Sequence, residues 1–139
     1  MSDLADLSYE TCHRLLQEGS VGRVAVCTPS GPRILPVNYT VADEAIVFRT
    51  TPYSVLGSVG GSMSLAFEVD SLDYRSHEGW SVVAIGRASV IHDAEEIASL
   101  RAELDLETWA TGSRQLYVKL PWDELTGRRV GHPAAASAV

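Results

Sequence analysis

The densest group of ligand-capable side chains follows residue 48. Arg49 ends an apolar run, AIVFR, and Thr50, Thr51 and Ser54 come directly after it. Arginine offers a rigid fork of charged donors, and the hydroxyls add neutral ones. Pro52 suits the first position of a short helix, whose free backbone amides would complete an anion site. Gly57, Gly60 and Gly61 limit that helix to about two turns. The pattern suits a phosphate. It also suits an arginine at a strand end that pairs with one of the 18 acids. A second pair, Trp80 and Ser81, follows Gly79. An indole beside a hydroxyl can line a flat aromatic ligand, or the indole can fill a core or a dimer interface.

Other chemistries find little support. No nucleophile elbow is present for a Ser-His-Asp arrangement. The run GSVGG, 57–61, lacks the Gly-Lys-Ser/Thr of a phosphate loop, and no GxGxxG follows a strand. His13, His77, His92 and His132 are scattered, and Cys12 and Cys27 stand apart, so no regular metal-ligand spacing appears. The two thiols read as buried or half-buried. Asp43 and Glu44 read as solvated turn residues. Glu68 and Asp70 share one strand face without a clear role.

These side chains need a scaffold, and the hydropathy pattern predicts one rich in strands. Residues 8–18 form an amphipathic helix, with Ser8 as its N-cap and Cys12, Leu15 and Leu16 on one face. Gly19 would end it in a left-handed turn. Residues 21–28 and 33–41 alternate as strands around the turn PSGP. Pro36 cannot donate to a ladder, so its strand is at an edge or bulged there, which frees backbone groups for a ligand. Residues 45–50 and 62–70 make two further strands. Residues 71–79 read as a loop. The longest strand is 80–92, and Gly86 inside it predicts the bend that a closing barrel needs. Asp93 and Glu96 have capping-box spacing before a helix with Ile97, Leu100 and Leu104 as its stripe. Residues 114–120 give the sixth strand, and Pro121 would stop it. Six strands with few helices favour a small barrel.

Bulk properties narrow the partners. The chain has 139 residues, a size that suits one domain over 1–131 with a flexible tail at 132–139. The net charge of −7 opposes a nucleic-acid backbone. It still allows one small phosphorylated ligand, because screening acts over about 8 Å. No stretch reaches the ~20 apolar residues of a membrane span. Residues 1–7 carry two aspartates and no basic residue, unlike a secretion signal. Cytoplasm is the expected compartment.

In order and spacing, VGRVAV, RILPVNYTV, IVFRTTPYS, LAFEVD, GWSVVAIGRASVI and LTGRRV resemble the FMN-binding split barrels related to pyridoxamine 5′-phosphate oxidase. The likeness is closest to the short bacterial branch that includes nitroimidazole-resistance-type proteins. It implies a mainly β fold, a six-stranded antiparallel split barrel of Greek-key type. It further implies a homodimer with FMN at the interface. By position, Arg33, Leu35, Pro36, Val37 and Asn38 would lie along the isoalloxazine. Arg49, Thr50 and Thr51 would meet the phosphate, with Ser54, Val55 and Leu56 as a second phosphate segment. Trp80 and Ser81 match a ring-contact position from the other subunit. Tyr39 and His77 are candidates for the substrate side.

The chain departs from the oxidase pattern. Asn38 and Leu56 stand where the oxidase carries lysines, and the end lacks its tryptophan-arginine pattern. Oxidation of pyridoxamine phosphate is therefore not expected. The reading is an FMN-dependent oxidoreductase acting on a small flat or electron-poor molecule. The deazaflavin F420 is an alternative, disfavoured because its polyglutamate tail prefers a basic groove and this chain has one lysine, Lys119. A non-enzymatic flavin or haem carrier is the third reading.

Overall fold

The computed structural model describes residues 4–50, 62–103 and 116–131. A short strand, β1 (Leu4–Asp6), opens it. Sequence reasoning missed β1, because its three residues become a strand only by pairing with Arg128–Val130. Helix α1 (Tyr9–Glu18) starts as its sequence dictates: the Ser8 hydroxyl accepts from the Thr11 amide at 3.1 Å. Cys12, Leu15 and Leu16 are buried on one face. Gly19 is extended, with φ −85°, so the expected left-handed turn does not form. Glycine is needed there for space, because a Cβ would collide with the Tyr39 hydroxyl.

Three strands follow as a meander: β2 (Val21–Thr28), β3 (Gly31–Ala42) and β4 (Ala45–Thr50). Gly31 takes φ +118° to make the first turn. Strands β5 (Ser62–Asp73) and β6 (Glu78–Val90) form a long hairpin. The loop expected at 71–79 shrinks to a tight turn, because the Asp73 carboxylate accepts from the amides of Arg75 and Ser76 at 2.9 and 3.3 Å. The expected helix at 52–61 lies outside the described residues.

Helix α2 (Ala94–Glu103) begins at Asp93, whose carboxylate accepts from the Glu95 amide at 3.3 Å. The reciprocal half of the capping box is absent: Glu96 accepts instead from Lys119 at 3.1 Å. The last strand, β7 (Leu116–Val130), runs straight through Pro121, which was expected to end it. Pro121 sits where β7 leaves β4 and shifts register against β6. Ile85 pairs with Glu124 and Gly86 with Trp122, so one extra residue bulges β7. Gly86 permits this by leaving room for the Pro121 carbonyl.

The sheet order β7-β4-β3-β2-β5-β6 closes on itself through β6–β7 pairing, with β1 added beside β7. This is the six-stranded antiparallel barrel that the resemblance implied. Alternate residues point inward, among them Val24, Tyr39, Phe48, Phe67, Val82 and Leu120, and α1 plugs the core with Leu15 and Leu16. A smaller cluster of Val47, Tyr117, Ile91 and Leu100 forms where α2 covers the outside of β4 and β7. Cys12 is buried, but Cys27 points outward and is exposed. Among the described residues no helix is long and apolar enough to cross a membrane.

Candidate functional site

Among the described residues, strand β3 has one open edge. The Tyr39 amide donates to the Ser20 carbonyl at 3.0 Å. Antiparallel ladders alternate, so Val37, Leu35 and Arg33 also face β2 with their backbone groups. Ile34, Pro36 and Asn38 turn theirs the other way. On that side β4 pairs with β3 only from Tyr39 to Ala42. Pro36 therefore occupies a position where a missing N–H costs no ladder bond, as the sequence required.

The register places Arg49 beside Asn38, one step beyond the last β3–β4 pair, Tyr39–Phe48. Tyr39 and Phe48 point into the core, so Asn38 and Arg49 share the outer face. The Arg49 Nε is buried and has no hydrogen-bond partner among the described residues. A buried charged donor without an acceptor is costly, and an anion placed there would satisfy it. This orphaned nitrogen, with the open β3 edge beside it, fits a phosphorylated ligand. Thr50 follows, half-buried. Thr51, Ser54, Val55 and Leu56 lie outside the described residues.

Other expected site residues are placed differently. Leu35 packs against the core and Val37 is buried within it, and the backbone groups of both face β2, so neither meets a ligand at the open edge. Arg33 turns back to the β2–β3 turn, donating to the Ser30 hydroxyl at 3.1 Å. Tyr39 has no surface for a substrate: it is 3% exposed, donates to the Leu16 carbonyl at 2.5 Å and meets Phe67 edge-on. Burial pushes its phenol up to about 12. Tyr39 is thus a core residue, because the alternation that exposes Asn38 turns its neighbour inward.

Trp80 and Ser81 lie far from Arg49 in one chain. Arg49 pairs with Tyr117 near the start of β7, and Ser81 pairs with Arg128 near its end. Ser81 faces outward, while Trp80 packs against the core and lines a cleft of about 380 Å³ with Leu72, Asp73, Glu78, Arg129 and Val130. His77, at φ 58°, lines an adjoining cleft of about 220 Å³ with Tyr74. A single chain therefore does not unite the two halves of the expected site.

A charged group on the outer face of β2 and β5 escaped sequence reasoning. Arg23 Nη1 lies 3.0 Å from Glu68 and 3.6 Å from Asp70. Glu68 is pushed up to about 7 by burial and by the hydrogen bond and charge of Asp70, against the pull of Arg23. The two acids are visible as one strand face. Arg23 was overlooked, although it is the one charge in the alternating run VGRVAV.

Comparison with known proteins agrees with this architecture. An uncharacterised protein of Mycobacterium tuberculosis, Rv0080, is 31% identical over 92% of this chain and 86% of its own. The structure of the FAD binding protein from Mycobacterium smegmatis superposes with a TM-score of 0.80 at 27% identity, covering 92% of this chain and 99% of that one. The FAD and haem binding protein from the same organism shares the fold, with a TM-score of 0.73 at 17% identity over 94% of this chain and 75% of that one. The family model described as pyridoxamine 5′-phosphate oxidase matches residues 8–129, from the cap of the first helix to the end of the last strand, and the chain belongs to that family.

Proposed function

We propose that this protein is a flavin-binding oxidoreductase that works as a homodimer, with FMN held between two chains. The observation that carries the reading is the orphaned Nε of Arg49 on the outer face, beside the open edge of β3. Arg49 and Thr50 would hold the phosphate. The backbone groups of Ile34, Pro36 and Asn38 would meet the polar edge of the ring, and Ser81 of a second chain would complete the site. When bound, the flavin supplies hydride or electron transfer at its N5. The chain's own residues position the ring, satisfy the phosphate charge and exclude water. The substrate is a small flat or electron-poor molecule rather than pyridoxamine phosphate, since Asn38 and Leu56 replace the lysines of the oxidase. FAD is a second reading, favoured by the likeness to the FAD binding protein from M. smegmatis. It shares the ring and the first phosphate with FMN and adds a nucleotide beyond.

The test is equilibrium titration of the purified protein with FMN, FAD and F420, read by absorbance and flavin fluorescence. Arg49→Ala should weaken flavin binding by roughly 1.5–3 kcal/mol, the worth of a charge-assisted contact, with an unchanged circular dichroism spectrum. Equal affinity in the variant would remove Arg49 from the site. Retention of F420 alone would replace the flavin with the deazaflavin, and a Soret band would point to haem.

A further inference from the structure

Arg23, Glu68 and Asp70 form a charged group to which the flavin reading gives no part. Strand alternation places all three on the outer face. Val24, Phe67 and Val69 point into the core, so their neighbours Arg23, Glu68 and Asp70 point out. The same alternation turns Val82 inward and Ser81 outward. The ladders fix what stands beside each. Arg23 pairs with Pro36 of β3 on one side and with Glu68 of β5 on the other, and Asp70 pairs with Ser81 of β6. Side chains directly opposite on one face have Cβ atoms about 4.5–5.5 Å apart, so Asp70 lies within reach of the Ser81 hydroxyl. The group therefore spans the face between the open edge of β3 and Ser81.

The charges in this group do not balance. Both acids lie on one nitrogen of Arg23: Glu68 Oε1 is 3.0 Å and Asp70 Oδ2 3.6 Å from Nη1. One guanidinium offsets one of the two carboxylates. Among the described residues the neighbouring strands bring no second cation to the pair. β6 faces it with Ser81 and Val83, and β3 lies beyond Arg23 with Pro36. Arg128 of β7 stands on the far side of Ser81, and Arg87 is four residues along β6 from Val83, opposite Ser64. Two carboxylates with one counter-charge hold a proton more readily than either alone, and partial burial adds to this. Glu68 accordingly rises to about 7, so at neutral pH the pair stands between holding a proton and releasing it.

We propose that Glu68 and Asp70, bridged by Arg23, are the proton store of the flavin site. The inference rests on the flavin reading above, in which Ser81 meets the ring. A hydride from a donor such as a dihydronicotinamide brings an electron pair and one proton, so a bound flavin gains one negative charge. A second proton, from solvent, enters the carboxylate pair and offsets that charge. When the electron pair leaves as hydride to the substrate, the carboxyl O–H bond breaks and its proton follows through the Ser81 hydroxyl. Arg23 then holds the carboxylate that remains. The substrate receives two electrons and two protons, one within the hydride and one from the pair. Glu68 and Asp70 act through Ser81 and are positioning residues for the proton.

Spectroelectrochemistry of the flavin-loaded protein tests it, because the midpoint potential falls with pH in proportion to the protons taken up on reduction. At about pH 8 the wild type should show a steeper fall than Glu68→Gln, by up to one proton per two electrons. At about pH 5 the carboxyl is protonated in both redox states, and the two slopes should agree. Asp70→Asn leaves Glu68 paired one-to-one with Arg23 and ionised, so it should lower the slope at the higher pH in the same way. It serves alone if Glu68→Gln fails to fold. A variant slope equal to wild type at about pH 8, or a difference just as large at about pH 5, would overturn the proton store. Carbon-13 NMR of the flavin-free protein gives a second readout: the Glu68 carboxyl should titrate well above an ordinary glutamate and move down in Asp70→Asn. An ordinary titration would also overturn the store. Flavin retention separates the two readings. Flavin held with equal slopes removes the proton store and leaves the flavin site standing, whereas a protein that retains no flavin removes both.

Discussion

Arg49, one step from Phe48 on β4, and Tyr39, one step from Asn38 on β3, show how strand alternation sets a residue's place. Arg49 lies on the outer face with a buried nitrogen left unsatisfied, and Tyr39 lies inside with its hydroxyl bonded to the Leu16 carbonyl. Tyr39→Phe should therefore destabilise the fold by about 1 kcal/mol in urea unfolding, because it leaves that carbonyl unpaired. It should leave flavin affinity unchanged, and a loss of affinity would return Tyr39 to the ligand side. Glu68 adds a pH dependence. Its carboxyl rises from the usual 4.5 to about 7 on folding, so the folded chain holds the proton more tightly than the unfolded one. Stability from this group is complete below the unfolded value and is lost as pH rises through about 7. Its side chain is 34% exposed, so solvent screening reduces the effect to the order of 1 kcal/mol. Urea unfolding of the dilute single chain at about pH 5 and about pH 8 measures it against Glu68→Gln. The stability difference between the two proteins should shift against wild type at the higher pH. A constant difference would mean that Glu68 titrates normally.

At the scale of elements, β3 carries the open edge and β7 the closure. The break expected at Pro36 lies in the right place, because a residue without an N–H can occupy an open edge and not a paired one. The other proline inference failed. Pro121 was expected to stop the last strand, yet β7 continues for nine residues beyond it, to Val130. A proline ends a strand only if its nitrogen is needed by a neighbour, and Pro121 lies at the handover from β4 to β6. Gly86 makes that handover possible. Gly86→Ala would push a methyl group into the Pro121 carbonyl, so it should cost about 1–3 kcal/mol in thermal or urea unfolding. A neutral effect would show that the bulge can relax without strain. Sequence reasoning did read Gly86 as a bend, since an isolated glycine in a long apolar strand has few other uses. The β5–β6 segment reads as a loop because its residues are polar, and polarity alone does not reveal that Asp73 folds the chain back within four residues.

At the scale of the whole molecule, alternation along each strand decided which side chains enter the barrel. That alternation is local, so the sequence by itself determined the strand-rich fold, the capped first helix, the inward stripe and the open edge at Pro36. The order of its segments also carried the family resemblance, which implied one site for Arg49 and the β3 strand. Only the tertiary structure decided which outward residues become neighbours. Arg23 and Glu68 are 45 positions apart, and their pairing follows from β5 returning to β2 across the sheet. The same long-range pairing separates Ser81 from Arg49 within one chain. Hydrophobic periodicity records which way a side chain points. Closure of the ring, through contacts between distant segments, sets what it points toward.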